Sequence, residues 1–312
     1  MKYLQLKVAE ILAHLFPRKV SYGLARRLAD LYVLLDRRGR EAVMSNLRRI
    51  HQHNGVSLSD RALRAVAREN FLNFAKYLVD FFKFLRPRRD VLDRVVHYGN
   101  APEMFDTLLA HGKGIITITA HLGNWELGAS AMAARGYKLN VVALWVPDRK
   151  VNELYQRQRL ARRLNPIPQG RAARGCIAAL RRNEIVALVG DRDFTAARAT
   201  TEFFGAPARL PHGPAKLALA TGSPLLPMFM LRQPDDTFAY IIEEPIWADK
   251  SRDSVETVMH QVSGALERVI SRYSEQWFLF HDLWNVEQDL VLATRMAFGE
   301  SDSDSTARQA HD

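Results

Sequence analysis

The chain has 312 residues, 47% of them hydrophobic, one cysteine and a net charge of +10. That length and apolar content allow one large domain or two small ones with a full core. The lone Cys176 excludes an intramolecular disulfide framework and a cysteine-based zinc site, so a cytosol-facing protein is the simplest expectation. The charge is uneven. Residues 1–100 carry 20 Lys and Arg against 9 Asp and Glu, whereas residues 101–312 carry 24 against 25. Residues 149–182 hold ten basic residues and one acid, Glu153. Such asymmetry points to an anionic partner (nucleic acid, membrane surface, acidic carrier or phosphorylated substrate) or to a solvated basic face.

In chain order, residues 1–95 read as all-helical, with apolar positions recurring at three and four and breaks at Phe16-Pro17, Arg38-Gly39, Asn54-Gly55 and Arg86-Pro87. Leu4, Val8, Ile11, Leu12, Leu15 and Phe16 form one helical stripe. Ser59-Asp60 supplies an N-cap for a helix through Phe71 and the aromatic run to Leu85. Apolar stripes beside arginine-rich flanks fit an interfacial membrane helix and equally a helix packed in the core. No stretch reaches the roughly 18–20 apolar residues that span a bilayer, and the N-terminus lacks a signal-peptide pattern.

From about residue 95 the texture changes. Strands are expected at 95–98, 114–119, 138–146, 184–189, 225–231 and 238–242, and helices at 102–111, 125–135, 150–163, 170–182, 214–221 and 254–273. The segment Trp277 to Trp284 closes the domain. This alternation predicts an α/β layered sandwich with a mostly parallel central sheet over residues 96–299, preceded by the helical, membrane-associating region 1–95. Residues 300–312 have no apolar pattern and are expected to be disordered.

The residues with chemistry cluster at predicted strand ends. Thr119-Ala120-His121-Leu122-Gly123-Asn124-Trp125-Glu126 follows the apolar run Ile115 to Ile118. It sets an imidazole and a carboxylate five positions apart across a turn and a helix start. An imidazole held by a carboxylate is a general base near neutral pH; alternatively His121 bonds a loop carbonyl and Glu126 favours a helix N-terminus. Strand C-termini of open α/β sheets are where substrates sit. Asp191, Arg192 and Asp193 follow a second apolar strand. They can line a site or, as an Asp-x-Asp pair, bind a divalent metal, for which other ligand clusters are missing. Cys176 has no histidine near in sequence and reads as a small apolar residue. Arg162, Arg163, Arg181 and Arg182 read as solvated, and Trp277, Phe278, Phe280 and Trp284 as core packing.

The stretch TAHLGNWELG resembles the signature of the bacterial lipid A late acyltransferases and of the actinobacterial mannoside acyltransferases, within the lysophospholipid acyltransferase superfamily with its His-x4-Asp/Glu motif. Gly190-Asp191-Arg192-Asp193-Phe194, Glu202-Phe203-Phe204-Gly205 with Pro211 to Ala218, Thr221 to Pro227, and Tyr273 to His281 resemble later blocks of that family, in order. The resemblance covers roughly residues 15–290. Many enteric members begin with a transmembrane helix, whereas this N-terminus is only amphipathic.

The resemblance implies a glycerolipid-acyltransferase-like fold and transfer of a fatty acyl chain from an acyl thioester, on acyl carrier protein or coenzyme A, to a hydroxyl of a membrane glycolipid such as a lipid A precursor. His121 would be the base, oriented by Glu126. Backbone N–H groups around Leu122 to Asn124, or a nearby arginine, would hold the oxyanion. Arg159, with Arg157 second, would grip phosphate or the reacting acyl group. Arg192 would bind an acceptor phosphate, Asp191 and Asp193 would buttress it or His121, and Glu202 would assist the base or bind a hydroxyl. No cofactor or metal is required. The expected partners are the lipid acceptor, the thioester donor and an anionic membrane surface, at the cytoplasmic face of the bacterial inner membrane, peripheral or monotopic, without nucleic acid. The alternatives are an acyl hydrolase using the same dyad, a basic nucleic-acid-binding protein and an inactive lipid-binding scaffold.

Overall fold

The computed structural model describes residues 13–85, 88–143, 148–193 and 199–285, together with Lys7, Glu10 and Ile11. The expected disordered tail therefore lies outside the described residues, as do Leu4, Val8 and Leu12 of the N-terminal stripe. Among the described residues no helix is long and apolar enough to cross a membrane.

Three helices come first: α1 (Arg18–Leu35), α2 (Arg37–His53) and α3 (Asp60–Lys83). Asp36 caps α2 by accepting from the Gly39 N–H at 2.9 Å, and Ser59 caps α3 through the Ala62 N–H at 3.3 Å. The short α4 (Arg89–Val95) leads into the mixed domain. There, β1 (Val96–His97), α5 (Ala101–Leu109), β2 (Ile115–Thr119), α6 (Trp125–Ala134), β3 (Leu139–Ala143), α7 (Arg149–Ala161), β4 (Asn165–Pro168), α8 (Ala172–Arg181) and β5 (Ile185–Val189) follow in turn. A small hairpin, β6 (Thr201–Phe203) and β7 (Ala206–Ala208), precedes α9 (Gly213–Thr221), β8 (Leu225–Arg232), β9 (Phe238–Ile242) and α10 (Val255–Arg272).

The main sheet has seven strands in the order β1-β9-β8-β2-β5-β3-β4. All pairs are parallel except β8–β9. β2 lies between β8 and β5, and Ile115, Ile116 and Ile118 are fully buried, so apolar side chains occupy both faces of the strand rather than one. Two elements escaped the sequence reading. β4 contains two prolines, tolerated because it is the edge strand. The β6–β7 hairpin turns at Phe204 and Gly205, both with positive φ, a local geometry that apolar patterning does not announce.

The parallel register of β2 and β5 fixes the geometry of everything beyond them. Ile115 pairs with Ile185, and so on to Thr119 with Val189. The two strands end level, and the Gly190 N–H donates to the Thr119 carbonyl at 2.8 Å. Residues two places past each end, His121 and Asp191, are thereby brought side by side. Gly123 follows with φ +63°, and a Cβ there would lie 2.1 Å from the Met230 carbonyl oxygen. Only glycine permits the chain to pass β8 at this point and start α6.

The helical region is locked onto the sheet by buried charge. Asp80 of α3 accepts from the Tyr22 hydroxyl at 2.6 Å and from the Arg232 guanidinium of β8. Arg232 also donates to Tyr22 at 2.8 Å, and Lys76 donates to Asp236 in the β8–β9 turn at 2.7 Å. Burial, then the Asp80 charge, pushes the Tyr22 phenol up, so it stays a neutral donor. Phe71, Leu72, Tyr77, Phe81 and Phe82 of α3 are buried, so this aromatic run is core. The outward face of α1 is different: Leu24, Leu28, Leu31 and Leu35 are exposed on one stripe. Asp80→Ala removes the partner of a buried guanidinium and is expected to lower the unfolding free energy by about 3–5 kcal/mol in urea titrations. A loss under about 1 kcal/mol would contradict this view of the network.

Candidate functional site

His121 sits in the loop between β2 and α6 with 23% of its side chain exposed, whereas the Asp191 side chain beside it is fully buried. One Asp191 oxygen faces the ring Nδ1 at 2.8 Å. The other accepts the His121 backbone N–H at 2.8 Å and the Trp277 indole N–H at 2.8 Å. Burial alone pushes the Asp191 carboxyl up. The charge and hydrogen bond of His121, the indole N–H and the backbone N–H outweigh it and hold the group below the usual carboxylate range. An ionised Asp191 at Nδ1 puts the proton on that nitrogen and leaves Nε2 as the acceptor. The ring packs edge-to-face on Trp125, 5.1 Å between centroids.

The structure does not bring together the dyad that the resemblance implies. Glu126 lies on the first turn of α6, and no hydrogen bond or ion pair joins it to His121. Its charge acts instead on a cluster from α3 and α7. Burial, then the Glu126 charge, pushes the Tyr77 and Tyr155 phenols up. Burial lowers the Arg162 pKa, with Glu126 opposing. Arg162, expected to be solvated, is buried, donates to the Phe81 carbonyl and to Gln158 at 3.2 Å, and lies over the Phe81 ring. Arg159 sits in the same cluster, 5.9 Å over the Tyr155 ring, with its buried Nη1 unpartnered among the described residues. Arg157 is exposed on the outer face of α7.

Two of the expected backbone oxyanion donors are engaged elsewhere: the Gly123 N–H donates to the Gln276 carbonyl at 2.9 Å and the Asn124 N–H to the Met230 carbonyl at 2.7 Å. Asn124 is the cap of α6, its side-chain oxygen accepting from the Leu127 N–H at 3.1 Å, while its buried Nδ2 has no partner among the described residues.

A family model described as bacterial lipid A biosynthesis acyltransferase matches residues 2–286. The chain belongs to this family. It is similar to the phosphatidylinositol mannoside acyltransferase of Mycobacterium tuberculosis (strain ATCC 25618 / H37Rv), 34% identical over 143 residues, 44% of this chain and 43% of that one. That alignment therefore spans less than half of the mycobacterial protein. A phosphatidylinositol mannoside acyltransferase of Mycolicibacterium smegmatis (strain ATCC 700084 / mc(2)155) is 25% identical over 260 residues, 79% of this chain and 80% of that one. Among solved structures, the 1-acyl-sn-glycerophosphate acyltransferase PlsC of Thermotoga maritima covers 84% of this chain and all of its own at TM-score 0.39 and 14% identity, too distant to carry anything over.

In this lipid A acyltransferase family member the remaining candidates separate by burial. Asp193 is buried and ion-paired with the fully buried Arg209 at 3.6 Å, which makes it part of the wall behind Asp191. Arg192 is half-buried between the two aspartates. Glu202 is exposed on β6 and is not brought to His121 by any contact. Among the described residues no group of three His, Cys, Asp or Glu side chains is arranged to hold a metal. Sequence reading missed Trp277 as a polar partner and Arg162 as a buried one. The usable signal was the equal distance of His121 and Asp191 from the ends of two neighbouring parallel strands. Cys176 is on the buried face of α8, and burial pushes its thiol up to about 11. Iodoacetamide is therefore expected to leave the native protein unlabelled at pH about 8 and to label it in urea. Rapid stoichiometric labelling of the native chain, read by mass spectrometry, would contradict this.

Proposed function

We propose that the chain transfers a fatty acyl group from an acyl thioester, on acyl carrier protein or coenzyme A, to a hydroxyl of a membrane glycolipid. The observation that carries this reading is the His121 ring fixed at Nδ1 by the buried Asp191, with the ring partly open to solvent. Family membership and the names of the mycobacterial relatives support the acyl group and the glycolipid class.

The steps follow from these groups. The acceptor hydroxyl gives its proton to His121 Nε2 as its oxygen attacks the thioester carbonyl. Asp191 stabilises the imidazolium that forms. The tetrahedral oxyanion collapses, the C–S bond breaks, and the departing thiolate takes the proton from the imidazolium. The Arg159 Nη1, buried without a partner among the described residues, is the donor for the oxyanion or a substrate phosphate, in place of the engaged N–H groups of Gly123 and Asn124. Glu126 offsets the buried charge of Arg162 rather than orienting the base. Asp193 with Arg209 supports the loop, and Arg192 lines its rim.

The apolar substrates have a matching surface. A groove of about 620 Å³ between α1 and α3 is lined by Leu24, Leu28, Leu31, Phe71, Phe74 and Leu78. Its size is that of a small-molecule site. Rings lead from it to the base: Phe74 stacks on Tyr77, Tyr77 stacks on Trp125 at 4.5 Å, and Trp125 meets His121. With the exposed leucine stripe of α1 and the basic first hundred residues, this face suits an anionic membrane surface. We place the enzyme there peripherally, at the cytoplasmic side of the inner membrane, where both thioesters are made.

The test offers the purified protein each acyl thioester together with phosphatidylinositol mannoside or a lipid A precursor, with products read by mass spectrometry. One acyl chain is expected to be added to a glycolipid. His121→Ala and Asp191→Asn should each lower kcat/KM by about 10²–10⁴-fold, and Glu126→Gln by less than Asp191→Asn. Undiminished transfer by His121→Ala would overturn the assignment of the base.

A further inference from the structure

We propose that Trp277 is a positioning residue for the base: its indole N–H holds Asp191, and the strap that carries it ties the orientation of the His121 ring to the N-terminal helices. This rests on the reading of His121 as the general base.

Asp191 is held at three points, the His121 ring, the His121 backbone N–H and the indole N–H, each at 2.8 Å. The last two share one carboxylate oxygen. Without the indole, that oxygen keeps one donor from a loop, and the carboxylate is free to rock about it. A tryptophan needed only to fill space would leave its N–H on a carbonyl or in water. Here the N–H goes to a carboxylate that touches the base.

The indole is itself immobilised. Its ring packs against Phe203 and Trp284, each 6.3 Å between centroids. Its backbone runs beside the histidine loop. Leu122 and Trp277 form an antiparallel bridge, and the Phe278 N–H donates to the His121 carbonyl at 2.7 Å. From the other side α3 grips the same strap. Asn70, fully buried, donates to the Trp277 carbonyl at 2.6 Å and the Ser274 carbonyl at 3.3 Å, and Asn73 donates to the Glu275 carbonyl at 3.2 Å. A continuous path of hydrogen bonds thus runs from Asn70 through Trp277 and Asp191 to the His121 ring.

The indole N–H also stabilises the buried Asp191 carboxylate, which in turn meets the His121 ring. Among the described residues the groups facing Asp191 are His121 from the β2–α6 loop and Trp277 from the strap. Asp193, two residues on, is engaged with Arg209.

The test compares wild type, Trp277→Phe, Asp191→Asn and His121→Ala in steady-state acyl transfer from about pH 5 to 9. Trp277→Phe should lower kcat by about 10-fold or more, the order of one hydrogen bond to a charged group. It should leave KM for the thioester within about 3-fold. A packing role alone would lower stability and leave kcat of the folded variant in place. An unchanged kcat in Trp277→Phe, with His121→Ala inactive, overturns this proposal and spares the base. Activity in His121→Ala overturns the base itself. If Trp277→Phe does not fold, the indole resonances of ¹⁵N-tryptophan-labelled wild type and Asp191→Asn decide. A slowly exchanging indole proton that moves on Asp191→Asn supports the proposal, and unchanged indole resonances overturn it.

Discussion

The hydrogen bond between His121 and Asp191 exists because β2 and β5 are parallel neighbours that end at the same level. Parallel pairing is evenly spaced, so residues equally far past two level ends emerge together. No contact within the histidine motif is needed to bring an acid to the ring. The crossover through α6, β3, α7, β4 and α8 returns the chain to the vacant side of β2 and delivers Asp191. This is the switch-point logic of open α/β sheets, expressed as a hydrogen-bonded imidazole–carboxylate pair instead of a nucleotide site.

Keeping a carboxylate ionised in a fully buried position is costly unless its oxygens are satisfied. Asp191 meets that condition with donors from three directions. Two come from the histidine loop and one from the far end of the chain, so the site closes only after residue 277 has docked. The strap docks in turn on α3, and α3 is locked to β8 by Asp80 and Arg232. The helical first region is therefore a wall of the site as well as a neighbour of it.

Much of the architecture was legible from patterning. The buried runs at β2, β5 and β8 read as strands of a parallel sheet because they must face apolar layers on both sides. The amphipathic stretches of α7 and α10 read as helices for the usual reason of period. β4 was lost because two prolines argue against a strand unless its edge position is known, and the β6–β7 hairpin because Phe204 gives no turn signal. In the site, His121 was legible from its place after a strand and from the family resemblance. Its partner was legible only in part: Asp191 read as a buttress of His121 or of Arg192, with Glu126 as the orienting acid, whereas the charge of Glu126 acts on Tyr77, Tyr155 and Arg162. Asp191 is 70 residues away, and the choice of it as the partner of the ring follows from strand order, which one sequence read by itself does not supply. Trp277 was hidden for the same reason, since its ring packs in the core while its N–H serves the site.

The proposed base depends on Asp191 fixing the His121 proton on Nδ1 and leaving Nε2 open. Nitrogen NMR of ¹⁵N-histidine-labelled protein reads this directly. Neutral His121 is expected to be the Nδ1–H tautomer, with a downfield, slowly exchanging proton that is lost in Asp191→Asn and kept in Glu126→Gln. An Nε2–H tautomer, or an Nδ1 proton that survives Asp191→Asn and vanishes in Glu126→Gln, would contradict it.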